Sequence, residues 1–130
     1  MLKKVCTTVA IACLFSCGGG GTGPAVRHVN TPPPPDGITV SNDMFTPQSK
    51  TVSVGSTVQW AWNSCTGDGY GGDVCVAHSV TFDDDDGSGT RASPVQDHGT
   101  FARTFDTPGV YAYHCSVHGY LGMTGTITVQ

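Results

Sequence analysis

The sequence contains no glutamate, and its ten acidic residues are all aspartates. Basic residues are also scarce, since the whole chain has six lysines and arginines. Lys3 and Lys4 lie in an N-terminal leader, and without them four basic residues face ten acidic ones, a formal net charge of −6. A domain with this charge repels nucleic acid and anionic lipid surfaces. The composition therefore excludes a nucleic-acid-binding protein, and any membrane attachment must come from a separate anchor.

The domain also lacks the 3.6-residue apolar periodicity of amphipathic helices and contains no repeat. Apolar residues alternate instead, as strands with one buried face require. The alternating sets are Ile38 and Val40; Val52 and Val54; Val58, Trp60 and Trp62; Val80 and Phe82; Tyr111 and Tyr113; and Ile127 and Val129. Turn sequences such as "VGS" and "DTPG" separate these runs. The pattern predicts an all-β fold, an antiparallel β-sandwich of seven or eight strands.

The N-terminal apolar run is too short to span a bilayer. Residues 1–16 combine two lysines with the apolar stretch "VCTTVAIACLF", a composition typical of a secretory signal. Leu14, Ser16 and Cys17 at its end resemble the lipobox of bacterial lipoproteins, in which the chain is cut before the cysteine and the cysteine carries lipid. Ordinary signal cleavage nearby is the alternative. Both interpretations predict an exported protein.

Residues 17–36 form a segment rich in glycine and proline, including "GGGG" and "PPPP". This composition predicts a tether that is flexible at first and then stiff and extended. The folded domain is expected over residues 37–130. We expect a monomer on the periplasmic side of a bacterial membrane or at the cell surface, attached through lipid on Cys17.

The cysteines divide by position along the chain. Two leave with the signal, and Cys17 is the candidate lipid anchor. Three remain in the domain: Cys65, Cys75 and Cys115. An odd number of cysteines in an oxidising compartment leaves one that is unpaired or otherwise occupied.

Alternation also predicts which way the candidate ligand side chains face. Cys115 has the parity of the apolar tyrosines of its strand and should face inward at the strand's end, whereas His114 should face outward. His78 has the parity of the apolar residues that follow it and should also face inward. Arg103 falls on an inward parity, so we expect a bulge or a strand end beside it. Met44 is expected in the core.

Three residues of types that bind copper lie within a short stretch: Cys115, His118 and Met123. A thiolate and two imidazoles, with a thioether at longer distance, are the ligands of electron-transfer copper sites. The spacing C-x2-H-x4-M allows one loop to supply three of these ligands. His78 would supply the second imidazole from a distant strand.

These motifs resemble the cupredoxins of the plastocyanin–amicyanin type. The similarity lies in "FTPQSKTVSVGSTVQWAWN", in His78 and in "PGVYAYHCSVHGYLGMTGTITV", and it covers nearly the whole domain. The resemblance implies a Greek-key β-sandwich in which His78, Cys115, His118 and Met123 bind one copper ion that alternates between Cu(I) and Cu(II). Ser79 stands after the first histidine, where the family often has asparagine, and its hydroxyl would hydrogen-bond to the ligand loop.

A site of this kind implies electron transfer, because protein side chains fill all four ligand positions and leave none for a substrate. The protein is expected to carry single electrons between redox protein partners outside the cytoplasm and not to be an enzyme. In the family, an apolar surface around the solvent-facing histidine docks partners, which implies this role for Tyr120 and Leu121. Copper storage or delivery without redox turnover is one alternative, and a copper-free interaction domain is another.

Three further features depart from the family pattern or stay open. Cys65 and Cys75 flank the insertion "TGDGYGGDV", where we expect a disulfide rather than a second metal site with Cys115. Asp83 to Asp86 is expected to be a solvated turn, with an acidic docking patch as the alternative. A role for His114 in electron exit also stays open.

Overall fold

The structure is a computed structural model that describes residues 30–84 and 90–130. The predicted signal, Cys17, Asp85 and Asp86 lie outside these ranges. The described strands are β1 (Ile38–Ser41), β2 (Met44–Thr46), β3 (Ser49–Val52), β4 (Ser56–Trp62), β5 (Cys65–Gly67), β6 (Asp73–Cys75), β7 (Thr81–Phe82), β8 (Thr100–Phe105), β9 (Gly109–His114) and β10 (Thr124–Val129). A single 3-10 turn, Gly119–Leu121, is the helical element of the described part. Within it, no helix has the length and apolar character needed to cross a bilayer.

Two four-stranded sheets form the domain, with strand orders β2-β1-β4-β8 and β3-β10-β9-β7, and β5 pairs with β6 in a separate hairpin. The all-β sandwich expected from the sequence is confirmed. Each sheet contains one parallel pair, β1 with β4 and β3 with β10, so the sheets are mixed rather than purely antiparallel. This arises because the chain crosses to the second sheet for β3 and returns to the first for β4.

The alternating residues of the sequence form the core between the sheets. The buried cluster consists of Ile38, Val40, Phe45, Val58, Trp60, Trp62, Val80, Phe82, Phe105, Tyr111, Tyr113, Cys115, Met123, Ile127 and Val129. Val54 is the exception and is exposed, because β3 ends at Val52 and Val54 lies in the following turn. Cys115 and Met123 are part of the same cluster. Two predicted copper ligands therefore belong to the hydrophobic core.

Tyr113 lies at the centre of this core, with its ring centroid 4.8, 5.5 and 5.3 Å from those of Phe45, Trp60 and Phe82. Gly125, its partner on β10, provides the space, since a Cβ there would lie 2.2 Å from the tyrosine ring. Burial raises the pKa of Tyr113 to about 12. The side chain is therefore a neutral phenol throughout the physiological pH range.

Arg103 does not produce the expected bulge or strand end. Strand β8 pairs with β4 along its whole length, and Arg103 is 2% exposed. Its guanidinium carbon lies 4.1 Å from the ring centroid of Phe82, and 5.0 and 5.2 Å from those of Phe105 and Tyr111. Asp84 accepts a hydrogen bond from Nη2 at 2.9 Å. Aromatic ring faces and a carboxylate thus stabilise the inward-facing cation.

We expect Arg103→Ala to lower the free energy of unfolding by about 3 kcal/mol, because it leaves a cavity and removes the ring contacts. Arg103→Met should cost less, since it refills the space with apolar atoms. Urea unfolding of the copper-free protein measures both. An alanine variant as stable as the parent would show that the buried guanidinium is not structural.

Candidate metal centre

The ligand loop, residues 115–123, joins β9 to β10. Cys115 N donates to Met123 O at 3.0 Å across the base of the loop, and Gly119 N donates to Cys115 O at 2.6 Å. Gly122 has a φ of +93°, in the left-handed region that glycine adopts without strain. These bonds fold the loop back on itself, so that residues at both of its ends lie beside the same strand termini.

His78 lies between β6 and β7 in a segment held by long-range contacts. Its N donates to Gln96 O at 2.9 Å, and its O accepts hydrogen bonds from Gln96 N at 3.0 Å and from Trp62 Nε1 at 3.1 Å. The side chain is fully buried, which agrees with the inward orientation predicted from alternation. His78 is therefore fixed by residues from two other parts of the chain.

The side chains of His78, Cys115 and His118 converge on one point. The two Nδ1 atoms are 3.0 Å apart, and Cys115 Sγ lies 3.9 Å from Nδ1 of His78 and 3.6 Å from Nδ1 of His118. The centre of a triangle with these sides is about 2 Å from each corner, the length of a metal–imidazole bond and slightly less than that of a metal–thiolate bond. Thiolate and imidazole are also the donors that copper prefers. The three residues therefore fit one metal ion.

Burial and charge differ among the three side chains. His78 and Cys115 are buried, whereas the His118 side chain is 17% exposed. The pKa of His78 is lowered below its ordinary value of 6.5, mainly by burial and to a smaller extent by the neighbouring His118. Asp43 acts in the opposite direction and raises this pKa. A lowered pKa keeps the imidazole neutral, which is the form that binds metal. His118 is the solvent-facing edge of the group.

Met123, the fourth residue predicted from the sequence, closes the ligand loop. It is 1% exposed, and its N donates to His118 O at 3.4 Å. Its carbonyl accepts the hydrogen bond from Cys115 N. The structure thus places Met123 in the core, on the same loop as two members of the group.

Ser79 connects the His78 segment to the ligand loop. Its N donates to Cys115 Sγ at 3.4 Å, and its Oγ accepts a hydrogen bond from Ser116 N at 2.9 Å. The same hydroxyl is 2.8 Å from Ser116 Oγ and 3.2 Å from Thr81 Oγ1. The hydrogen bonding to the ligand loop expected of this serine is therefore present.

Cys65 and Cys75 form a disulfide and are direct partners across the β5–β6 hairpin. Val76 N donates to Ser64 O at 3.2 Å at the base of the hairpin, shortly before His78. Cys115 is a free, buried cysteine. The expected disulfide is therefore present, and the alternative of a second metal site formed with Cys115 is wrong.

The end of the predicted tether contacts the domain beside this disulfide. Asn30 Nδ2 donates to Cys65 O at 2.9 Å, and Cys65 N donates to Asn30 Oδ1 at 3.1 Å. Thr31 N donates to Trp62 O at 2.9 Å. Residues assigned to the tether from composition alone thus hydrogen-bond to the folded domain.

The described part of the acidic run makes a hydrogen bond and an ion pair within the domain. Asp83 Oδ1 is 2.7 Å from His114 Nδ1, and Asp84 is the partner of Arg103. The His114 ring packs against the ligand loop, since a Cβ at Gly119 would lie 3.1 Å from it. Two of the four aspartates considered for partner docking therefore have intramolecular partners.

Sequence reasoning missed Asp43 and misplaced Met44. Asp43 Oδ1 lies 3.8 Å from His118 Nδ1, although no ligand motif includes this aspartate. Met44, expected in the core, is 55% exposed because Phe45 is the inward-facing residue of β2. No local pattern reveals these positions, because the turn between β1 and β2 meets the ligand loop only in the folded domain.

The model of the copper binding proteins of the plastocyanin/azurin family matches residues 38–130. The chain belongs to this family. A plastocyanin from Scenedesmus fuscus is 35% identical over 95 residues, covering 67% of this chain and 87% of that protein. The bound metal is therefore one copper ion, for which His78, Cys115 and His118 form the ligand group.

Solved structures show the same fold in two settings. A mutant fern plastocyanin, solved in oxidized and reduced forms, is 25% identical with a TM-score of 0.56, covering 72% of this chain and 99% of that one. A copper-containing nitrite reductase from Thermus scotoductus is 28% identical with a TM-score of 0.53, and the match covers 77% of this chain but 23% of the reductase. The fold thus occurs both alone and as part of a larger enzyme.

We expect Ser79→Ala to lower the free energy of unfolding of the copper-free protein by about 1 kcal/mol, because Ser116 N loses its acceptor. Ser79→Asn should recover part of the loss, since its amide oxygen can accept the same hydrogen bond. Thermal unfolding of the three proteins measures the effect. If the alanine variant unfolds with the parent, the serine does not hold the two ligand segments together.

Proposed function

We propose that the protein is a type 1 (blue) copper protein that carries single electrons between redox protein partners outside the cytoplasm. The observation that carries this proposal is the closed ligand group of His78, Cys115 and His118. Met123 would be the fourth, axial ligand. Its burial and its place on the ligand loop support this assignment. When bound, copper supplies one-electron chemistry between Cu(I) and Cu(II).

The chain's own contribution is to hold the ligands still. Hydrogen bonds with Trp62 and Gln96 hold the backbone of His78 in place. A hydrogen bond from Ser116 N to Ser79 Oγ links this segment to the ligand loop. Packing in the core immobilises Cys115. Ligands that do not move on oxidation or reduction keep the energetic cost of electron transfer small. The partly exposed His118 gives a partner close access to the site.

We propose that the protein is not an enzyme. If Met123 is the fourth ligand, protein side chains fill the coordination sphere and leave no position for a substrate. The similarity to nitrite reductase covers 23% of that enzyme and therefore does not extend to most of its chain. Turnover of small substrates by the copper-loaded protein would contradict this conclusion.

Copper storage or delivery is the alternative function. The buried thiolate and the enclosed histidine argue for slow release of the metal, which a delivery protein would not favour. A carrier should be intensely blue when oxidised and should undergo reversible one-electron reduction. A delivery protein should instead surrender copper readily to a competing chelator.

We predict that Cys115→Ser abolishes the thiolate-to-copper charge-transfer band, because serine removes the thiolate. The double variant Cys65→Ser/Cys75→Ser is the matched control, since it removes the other cysteine sulfurs of the domain and should keep the band. Visible absorption of the copper-loaded variants measures both. Loss of the blue colour in the double variant alone would overturn the ligand assignment.

We further propose that the protein is exported and attached to the membrane by lipid on Cys17. The leader at residues 1–16 and the lipobox-like sequence support this proposal. The segment 17–36 would then tether a monomeric domain on the periplasmic side of a bacterial membrane or at the cell surface.

Partner docking is proposed to use the surface of the ligand loop. Tyr120 and Leu121 are 84% and 63% exposed and lie beside His118. An apolar contact there brings a partner close to the site without stripping water from charges. Asp83 and Asp84 already have intramolecular partners, so a steering role would be secondary.

We predict that Leu121→Asp slows electron transfer and leaves the copper spectrum nearly unchanged, because it disrupts docking without touching a ligand. Val110→Asp is the matched control, since Val110 is exposed at the other end of β9. Stopped-flow exchange with a basic c-type cytochrome across a salt series measures the rates. If both variants react as fast as the parent, electrons leave by another surface, for which His114 is the next candidate.

A further inference from the structure

A cleft of about 310 Å³ lies between the turn that joins β1 to β2 and the end of the ligand loop. Asp43 and Met44 line one side, and Gly122 and Met123 line the other. Met123 belongs to both the cleft and the buried core. The cleft therefore ends at Met123, the proposed axial ligand, on one side of the ligand loop.

The side chains at the mouth of this cleft have the chemistry of a site for a soft cation. Met44 is a large apolar residue more than half exposed on β2, and its thioether is a soft donor that suits Cu(I). Asp43 is exposed, and its Oδ1 lies 3.8 Å from Nδ1 of His118, the ring nitrogen that faces the ligand group. A carboxylate in this position attracts cations toward the ligands.

The remainder of the metal centre is enclosed. His78, Cys115 and Met123 are each at most 1% exposed, and His118 presents only an edge to solvent. The exposed edge of His118 is one approach to the thiolate, and the cleft that ends at Met123 is a second. Met44 and Met123 both line the cleft, so a soft thioether donor is present at each end of this second path.

We propose that this cleft is the uptake route for Cu(I), with Met44 as its first ligand and Asp43 as the charge that draws the cation in. The inference rests on the proposed copper function and extends it to how the site is filled. Met44 and Met123 would hold the cation in turn before Cys115 and the two histidines bind it. Filling the site would be a ligand exchange without change of oxidation state, in which Cys115 would release its proton to solvent.

Stopped-flow uptake by the copper-free protein tests this route, with tetrakis(acetonitrile)copper(I) as the anaerobic Cu(I) source and Cu(II) sulfate in a parallel series. Growth of the ultraviolet Cu(I)–thiolate absorption and of the visible blue band reports the two reactions. Met44→Leu keeps the size and apolar character of the side chain. It should slow Cu(I) uptake several-fold and leave Cu(II) uptake unchanged, because a thioether favours the softer ion.

Asp43→Asn should slow uptake of both ions by about fivefold at low salt, the effect of one charge at about 4 Å in water. Asparagine suits this position because Asp43 has a φ of 59°, a left-handed conformation that asparagine also adopts. Asp106→Asn, exposed at the opposite end of the sandwich, is the control for net charge and should take up copper at the parent rate.

Two results would overturn the proposal. Cu(I) uptake by Met44→Leu at the parent rate would exclude Met44 as a ligand on the route. Equal slowing of Cu(I) and Cu(II) in Met44→Leu would point to a change of shape rather than of donor chemistry. Failure of the copper function itself is a separate outcome, since the parent would then show no blue band with Cu(II).

Discussion

The metal centre depends on the pairing of β7 with β9, which Ser79 reinforces with hydrogen bonds to the ligand loop. His78 and Cys115 lie far apart in the sequence. They come together because His78 shortly precedes β7, Cys115 directly follows β9, and these two strands pair in one sheet. Ser79 completes this junction, because its N–H reaches the Cys115 sulfur and its hydroxyl reaches Ser116. This junction holds the segment that carries one imidazole against the loop that carries the other imidazole and the thiolate.

The metal centre is continuous with the hydrophobic core rather than placed on a loose surface loop. Cys115 and Met123 pack with the aromatic residues between the sheets, so the forces that fold the sandwich also position the sulfur atoms. The disulfide-closed hairpin lies next to the segment that carries His78. Only His118 and its neighbours on the loop face solvent. A rigid, buried site with one exposed edge suits transfer of electrons to a protein partner.

Much of this arrangement is visible in the alternation of the sequence. Successive side chains on a strand point alternately to opposite faces. The alternation therefore predicts a core position for Val58, Trp60 and Trp62, and an inward direction for His78 and Cys115, and all five are buried. The same rule also gave Arg103 its observed inward direction, and only the expectation of a bulge or strand end beside it was wrong. Alternation predicts the face on which a side chain lies. It does not predict whether aromatic rings and a carboxylate lie on that face to stabilise a buried cation.

The sequence by itself determined the all-β class, the inward-facing candidate ligands and the loop spacing, since each follows from local periodicity or residue chemistry. Only the tertiary structure decided which residues meet. It placed Asp43 beside His118 and Asp83 beside His114. It also placed Met44 and Met123 in the lining of one cleft. These contacts form between turns and strand ends that are distant in the chain. Their partners are set by how the two sheets pack, and no short stretch of sequence contains that information.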